Sequence, residues 1–149
     1  MIMGKFRTST AADFPQIMHV WRSAVDATHD FLSPVDRLAI EEELLAFFPT
    51  ISLQLAVDDR DRPQGFMFLH GGHLEALFIH PDCHGQGIGK AFVVQAVADH
   101  PDLTVDVNEQ NIAAMGFYEH LGFEPIGRSE LDGQGRAYPL IHLRFRAPS

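Results

Sequence analysis

Basic residues are scarce in this chain. Lysine and arginine total 11 against 20 aspartates and glutamates in 149 residues, a formal charge of −9 with histidine neutral. A chain this acidic lacks the positive footprint of a nucleic-acid binder, so no nucleic-acid partner is expected. Its field favours cationic small molecules or basic peptide ends, weakly and subject to salt. Cysteine is nearly absent: Cys83 stands alone, which excludes an intrachain disulfide and fits a reducing compartment. No apolar run approaches the roughly 20 residues that span a bilayer. The stretch Met1-Ile-Met-Gly-Lys-Phe-Arg7 has no apolar signal core either. The expectation is a cytoplasmic protein with no membrane partner. Internal repeats, linkers and low-complexity tracts are also missing, so residues 1–149 read as one domain. What is present is ordinary: 46% apolar and 21% charged residues, enough to bury a sizeable core.

Periodicity divides the chain into alternating elements. Lys5 to Thr8 reads as a short strand. Thr10-Ala-Ala-Asp13 is a capping box, with Asp13 suited to the positive helix end. Ile17, Val20, Trp21, Ala24 and Val25 carry a helix to about Ala27. Ser33-Pro34 caps a second helix, supported by Leu38, Leu44, Leu45 and Phe48, that ends before Pro49. Leu53, Leu55 and Val57 alternate as a strand; Asp58 to Pro63 turns; Phe66 to Leu69 returns; Gly71-Gly72 breaks the run. Leu74 to Ile79 is a third strand of this group, His80 to Gly87 a loop and Ile88 to Ala98 a helix. Leu103 to Val107 is a strand, and Ala113 to Leu121 a helix closed by Gly122. Phe123 to Gly127 and Tyr138 to Phe145 pair around Asp132-Gly133. The fold class is α/β, or α+β by segregation: a mixed, mostly antiparallel sheet flanked by helices, with one central strand–loop–helix–strand unit.

That central unit carries the chemistry. Leu77-Phe78-Ile79 runs through His80-Pro-Asp-Cys-His84 into Gly85-Gln86-Gly87-Ile88-Gly89-Lys90. Glycines let backbone N–H groups approach an anion, and a helix N-terminus adds positive potential, so a phosphate or pyrophosphate is the natural occupant. The spacing rejects a P-loop: His84 stands where the first glycine belongs, and Ala91 where the magnesium-binding hydroxyl belongs. It also rejects a dinucleotide fingerprint, because Lys90 occupies the third glycine position and the loop lies past mid-chain.

The loop resembles the acetyl-CoA-binding motif of the GNAT acetyltransferases, [RQ]-x-x-G-x-[GA], with His84, Gly87 and Gly89 in the matching places. His84 departs from the usual Arg or Gln. Downstream, Asn111-Ile-Ala-Ala114-Met-Gly-Phe117-Tyr118-Glu-His-Leu-Gly122-Phe123 resembles the second GNAT pattern, N-x-x-A-x-x-F-Y-x-x-x-G-F, at every stated position. Order and separation agree, and the resemblance covers essentially the whole chain. The segment Ser23 to Ser33 resembles that of the bacterial YjaB-type members of the family. The resemblance implies a GNAT acyl-CoA N-acyltransferase fold and acetyl-CoA as cosubstrate. It implies direct attack of a primary amine on the thioester, the amine belonging to a small molecule or a peptide.

Several residues have two readings. The resemblance places Leu77, Phe78, Ile79, His84, Gly85, Gln86, Gly87, Ile88, Gly89, Lys90 and Asn111 against acetyl-CoA, whereas Asn111 also reads as a helix cap. Tyr118 lies on the stripe of Ala114, Phe117 and Leu121, hence in the core by periodicity. Position for position it matches the family tyrosine that protonates the departing thiolate. A phenol near pKa 10 is a reluctant donor to a thiolate near 8.5 unless the site tunes one of them. Glu75 shares a strand face with Leu77 and Ile79; burial of that face would raise its pKa and suit it to base work. The alternative for Glu75 is a rim carboxylate. His29, Asp30 and Phe31 fall where this family lines the acceptor site, and helix capping or surface placement explains them equally.

Nine histidines raise the question of metal. His70-x-x-His73 and His80-x-x-Cys83-His84 have ligand spacing. A strand between them at about 3.3 Å per residue separates the pairs by roughly 20 Å, so they cannot share one zinc. No metal is expected. The competing function is an inactive GNAT domain that senses acetyl-CoA without turnover, and the oligomeric state is left open.

Overall fold

A computed structural model describes residues 5–146. In chain order the elements are β1 (Lys5–Thr8), α1 (Phe14–Thr28), α2 (Pro34–Phe47), β2 (Gln54–Val57), β3 (Pro63–His70) and β4 (His73–Ile79). They continue as α3 (Ile88–Asp99), β5 (Thr104–Asn108), α4 (Ile112–His120), β6 (Phe123–Ser129) and β7 (Leu140–Phe145). The seven strands hydrogen-bond in the order β1-β2-β3-β4-β5-β7-β6. β1–β2, β2–β3, β5–β7 and β6–β7 are antiparallel, while β4 and β5 run parallel, joining His73 to Thr104 and Leu74 to Val105. The parallel pair is the expected strand–loop–helix–strand unit. The chain forms two compact units, one holding residues up to Phe68 with Ala76–Gly89, the other Leu69–Glu75 with the residues from Lys90 onward.

In the first unit, α1 has a one-sided apolar stripe, and Ile17, Met18, Val20, Trp21 and Val25 bury it with Leu53, Leu55, Val57 and Phe66. The capping box forms, but it caps a 3-10 turn over Ala11–Asp13 that precedes α1. The buried Asp13 carboxylate accepts from the Thr10 N–H at 2.8 Å and binds the Arg7 guanidinium through both oxygens at 2.8 Å. Arg7 holds the Asp13 carboxyl far below the usual carboxylate range, outweighing burial. Ser33 caps α2, its hydroxyl accepting from the Asp36 N–H at 3.1 Å. The apolar face of α2 meets the core only in part: Ile40 and Leu44 pack against it partly buried, no residue of the helix is fully buried, and Phe48, which is, lies in a 3-10 turn beyond its end. Polar contacts add to this packing. Arg37 bonds Asp26 and Glu41 while its guanidinium sits 5.3 Å over the Trp21 ring, and Arg22 also reaches Glu41.

β3 begins at Pro63, three residues before the expected start, because Pro63 is buried at the foot of the strand opposite Val57. The β3–β4 turn has positive φ at both Gly71 and Gly72, 58° and 78°, the pair of left-handed residues a two-residue hairpin turn requires. β7 starts at Leu140 rather than Tyr138.

The second unit buries Phe92, Val93 and Ala96 of α3, Leu103, Val105 and Val107, Leu143 of β7, and Tyr118 and Phe123, which stand edge-to-face, with the partly buried Phe145 edge-on to Phe123. Alternate residues on the other side of its strands form a polar chain. Thr104 Oγ1 lies 2.7 Å from His73 Nδ1, and His73 Nε2 lies 3.4 Å from Asp106. Asp106 lies 2.6 Å from His142 Nδ1, and His142 Nε2 lies 2.6 Å from the Ser129 hydroxyl. No helix among the described residues is long and apolar enough to cross a membrane.

Candidate active site

The glycine-rich loop belongs to the first unit. His80 opens it as a cap, its Nδ1 accepting from the Asp82 N–H at 3.1 Å over a 3-10 turn at Pro81–Cys83. Its ring lies 5.3 Å from that of His19. Gly85 and Gly87 then adopt φ of 80° and 77°, and α3 begins at Ile88. Left-handed residues on either side of Gln86, followed at once by a helix start, are the backbone features from which anion-binding N–H sets are built. His84, Gly85, Gln86, Gly87 and Lys90 are exposed, while Ile88 is buried and anchors the first turn of α3. The preceding strand residues Leu77, Phe78 and Ile79 are partly buried. Burial raises the Cys83 thiol pKa, aided by Asp82, so this residue is held away from the nucleophilic thiolate form.

His29 and Phe31 lie in the same unit, at the end of α1. The rings of Phe31 and Phe78 stand 5.2 Å and 6.4 Å from the His29 imidazole, so the acceptor segment meets β4 one residue before Ile79. Asp30 is exposed. Burial lowers the His29 pKa from 6.5, partly offset by Asp30.

Asn111 and Tyr118 both lie on α4 in the second unit. Asn111 is its cap, the side-chain oxygen accepting from the Ala114 N–H at 3.1 Å. This uses the acceptor and leaves the amide N–H₂ for a further partner. Tyr118 is 7% exposed, its ring edge-on to Phe117 at 5.0 Å and Phe123 at 5.3 Å. Burial raises its pKa well above the ordinary phenol value, so the hydroxyl keeps its proton at any physiological pH. Glu75, also in this unit, is exposed. The burial that would tune it as a base is not present, because β4 turns Leu74 inward and Glu75 outward.

Residues outside the sequence motifs also shape the site. Gly65 of β3 backs β4: a Cβ there would stand 2.6 Å from Ile79 Cδ1 and 3.0 Å from the Phe78 carbonyl. Thr28 holds the His29 ring at 2.7 Å. A lone glycine inside a strand pattern is the signal for the first; a threonine in a helical last turn gives none for the second. The histidine–cysteine pairs have other partners, His73 in the polar chain and His80 at its cap. Among the described residues no three His, Cys, Asp or Glu side chains group as metal ligands do.

Comparison with known proteins bears on this arrangement. The acetyltransferase (GNAT) domain family matches residues 26–138. The peptidyl-lysine N-acetyltransferase YjaB of Salmonella typhimurium is 49% identical over 144 residues, 97% of this chain and 99% of that protein. The chain belongs to the GNAT acetyltransferase family. It is therefore an acyltransferase, in a family whose donor is acetyl-CoA. The solution structure of apo YjaB from Escherichia coli matches with a TM-score of 0.93 at 43% identity, covering 99% of this chain and all of that one. A more distant GNAT protein, the PaiA N-acetyltransferase of Thermoplasma acidophilum solved with coenzyme A, shares the fold with a TM-score of 0.75 at 16% identity. That match covers 97% of this chain and 100% of that one.

Proposed function

We propose that this chain transfers the acetyl group of acetyl-CoA to a primary amine, the side-chain Nζ of lysine in a peptide or protein. The observation that carries the reading is the loop of two left-handed glycines opening α3 directly after β4, in a chain nearly half identical to a peptidyl-lysine N-acetyltransferase over its length. The loop amides from His84 to Lys90 hold the pyrophosphate, Leu77 to Ile79 offer backbone to the pantetheine and thioester, and Asn111 adds its free amide N–H₂. The amine attacks the thioester carbonyl directly, since Cys83 is held as a thiol and offers no covalent relay. The carbon–nitrogen bond forms, the carbon–sulfur bond breaks, and Tyr118 gives its proton to the leaving thiolate. The net charge of −9 favours lysine-bearing segments over acidic ones.

The raised pKa of Tyr118 favours a second reading. A phenol held so firmly protonated suits a domain that binds acetyl-CoA as a sensor and does not turn it over. Binding and turnover are separable. Acetyl-CoA is expected to raise the melting temperature by mass action, and NAD or ATP much less. Gly87→Glu places a side chain at φ 77° and a negative charge in the anion cradle, and is expected to abolish the shift. An equal response to NAD contradicts the cosubstrate assignment.

A further inference from the structure

The reaction needs a base, and the hydrogen bonds at the end of α1 specify one. The Thr28 hydroxyl lies 2.8 Å from the Ala24 carbonyl oxygen and 2.7 Å from His29 Nδ1. A threonine hydroxyl has one proton. Two oxygens at 2.8 Å need a proton between them, so that proton goes to Ala24. The Thr28 oxygen is then an acceptor toward His29, and Nδ1 must carry the imidazole proton. In the neutral ring this leaves Nε2 as an unprotonated lone pair.

The backbone fixes the ring's base as well. The His29 N–H donates to the Val25 carbonyl at 2.8 Å, and the His29 carbonyl accepts from the Leu32 N–H at 3.1 Å. Phe31 and Phe78 flank the imidazole, and Phe78 belongs to the strand proposed to present the thioester. We propose that His29 is the general base, its Nε2 accepting the proton that the acceptor amine loses as it attacks the thioester. The proposal rests on the lysine N-acetyltransferase reading and adds a proton acceptor to it.

The proton balance closes when solvent returns a proton to the Tyr118 phenolate left after the thiolate is protonated. The amine nitrogen bonds to the carbonyl carbon and becomes a far stronger acid than the free ammonium. Its surplus proton passes to Nε2, making an imidazolium that still donates Nδ1–H to Thr28, and solvent then takes the proton. Around the ring, α1 contributes Thr28 and the Ala24 carbonyl, the following segment contributes Asp30 and Phe31, and β4 contributes Phe78. The charge of Asp30 and the helix C-terminus favour imidazolium. Burial opposes them and prevails, so His29 is free to accept a proton at neutral pH.

His29→Asn tests this, because asparagine retains an N–H donor for Thr28 and deletes Nε2. With a lysine peptide, kcat/KM is expected to fall by about 10²-fold or more, the usual share of a positioned base. The acetyl-CoA melting shift should persist. The acid limb of the wild-type pH profile, rising with pH through a value below 6.5, should disappear. Wild-type kcat/KM with the same acid limb in His29→Asn overturns the proposal alone. A wild type that turns over no amine overturns the acetyltransferase reading and this base with it. Imidazole ¹⁵N NMR of the wild type supplies a readout independent of the variant's folding: an Nδ1–H tautomer at His29 supports the assignment, and an Nε2–H tautomer refutes it.

Discussion

At Tyr118 the ring and the hydroxyl answer to different forces. The ring packs edge-on between Phe117 and Phe123, while the hydroxyl is the proton donor of the proposed mechanism. Tyr118→Phe keeps the first and removes the second. Melting temperature and acetyl-CoA affinity should change little, while kcat falls by about 10²-fold, about 2.7 kcal/mol of transition-state stabilisation. A wild-type kcat would reject the acid role. The raised phenol pKa adds a stability signature. The folded chain holds this proton more tightly than the unfolded one, whose phenol titrates near 10.0, so the wild type loses stability as pH rises beyond that value. Tyr118→Phe should lose less over the same alkaline range in denaturant titrations. The Asn111 cap and the burial of Tyr118 were legible in the sequence, the first from helix-start chemistry and the second from periodicity. For Glu75 the strand face was legible and its exposure was not, since burial depends on what packs over the strand. Thr28 was invisible: its role depends on where one hydroxyl proton points.

At the scale of elements, β4 carries the residues proposed to face the thioester, and Gly65 sets how closely β3 supports it. Gly65→Ala would place a methyl 3.0 Å from the Phe78 carbonyl, which, unlike the end of the Ile79 side chain, has no rotamer to yield. The expected result is a stability loss of about 1–3 kcal/mol with a weakened acetyl-CoA response. Gly133→Ala, where a methyl meets nothing within 4 Å, should be silent in the same melting assay. The helix α2 is the contrasting case, packed on the core only through partly buried residues such as Ile40 and Leu44 and tied down by Arg37 and Arg22. Exposed ion pairs contribute little each. Arg37→Ala, which also removes the guanidinium over Trp21, should therefore speed amide exchange in α2 more than it lowers the global melting temperature. Periodicity made the order of helices and strands legible, down to the Ser33 cap and the Gly71-Gly72 turn. It said nothing of β7 lying between β5 and β6, because strand neighbours distant in sequence are chosen by packing. It also found α2, although within that helix Leu44 packs against the core while Leu38 and Leu45 are exposed.

Over the whole molecule, the proposed function gives the acidic charge and the glycine loop separate substrates. In that proposal acetyl-CoA is held by backbone amides, whose geometry salt does not alter, whereas a lysine-rich peptide is drawn by the net field. Raising ionic strength should increase KM for a basic peptide with kcat little changed, and a neutral lysine peptide should show a smaller effect. The Asp13–Arg7 pair sets the acid end of stability. Its carboxyl titrates lower in the folded chain than the ordinary 3.8, so its contribution is present above that value and is lost as pH falls below it. Asp13→Asn should flatten the stability curve there.

The most direct measurement of the central claim is release of free coenzyme A thiol from acetyl-CoA in the presence of a lysine peptide, with mass analysis of the same peptide. The account predicts thiol release that requires the peptide and matches the acetyl gained at lysine Nζ. Acetyl-CoA that binds and shifts the melting temperature, yet yields no thiol with this or any other amine, would contradict it and leave a sensor in place of an enzyme.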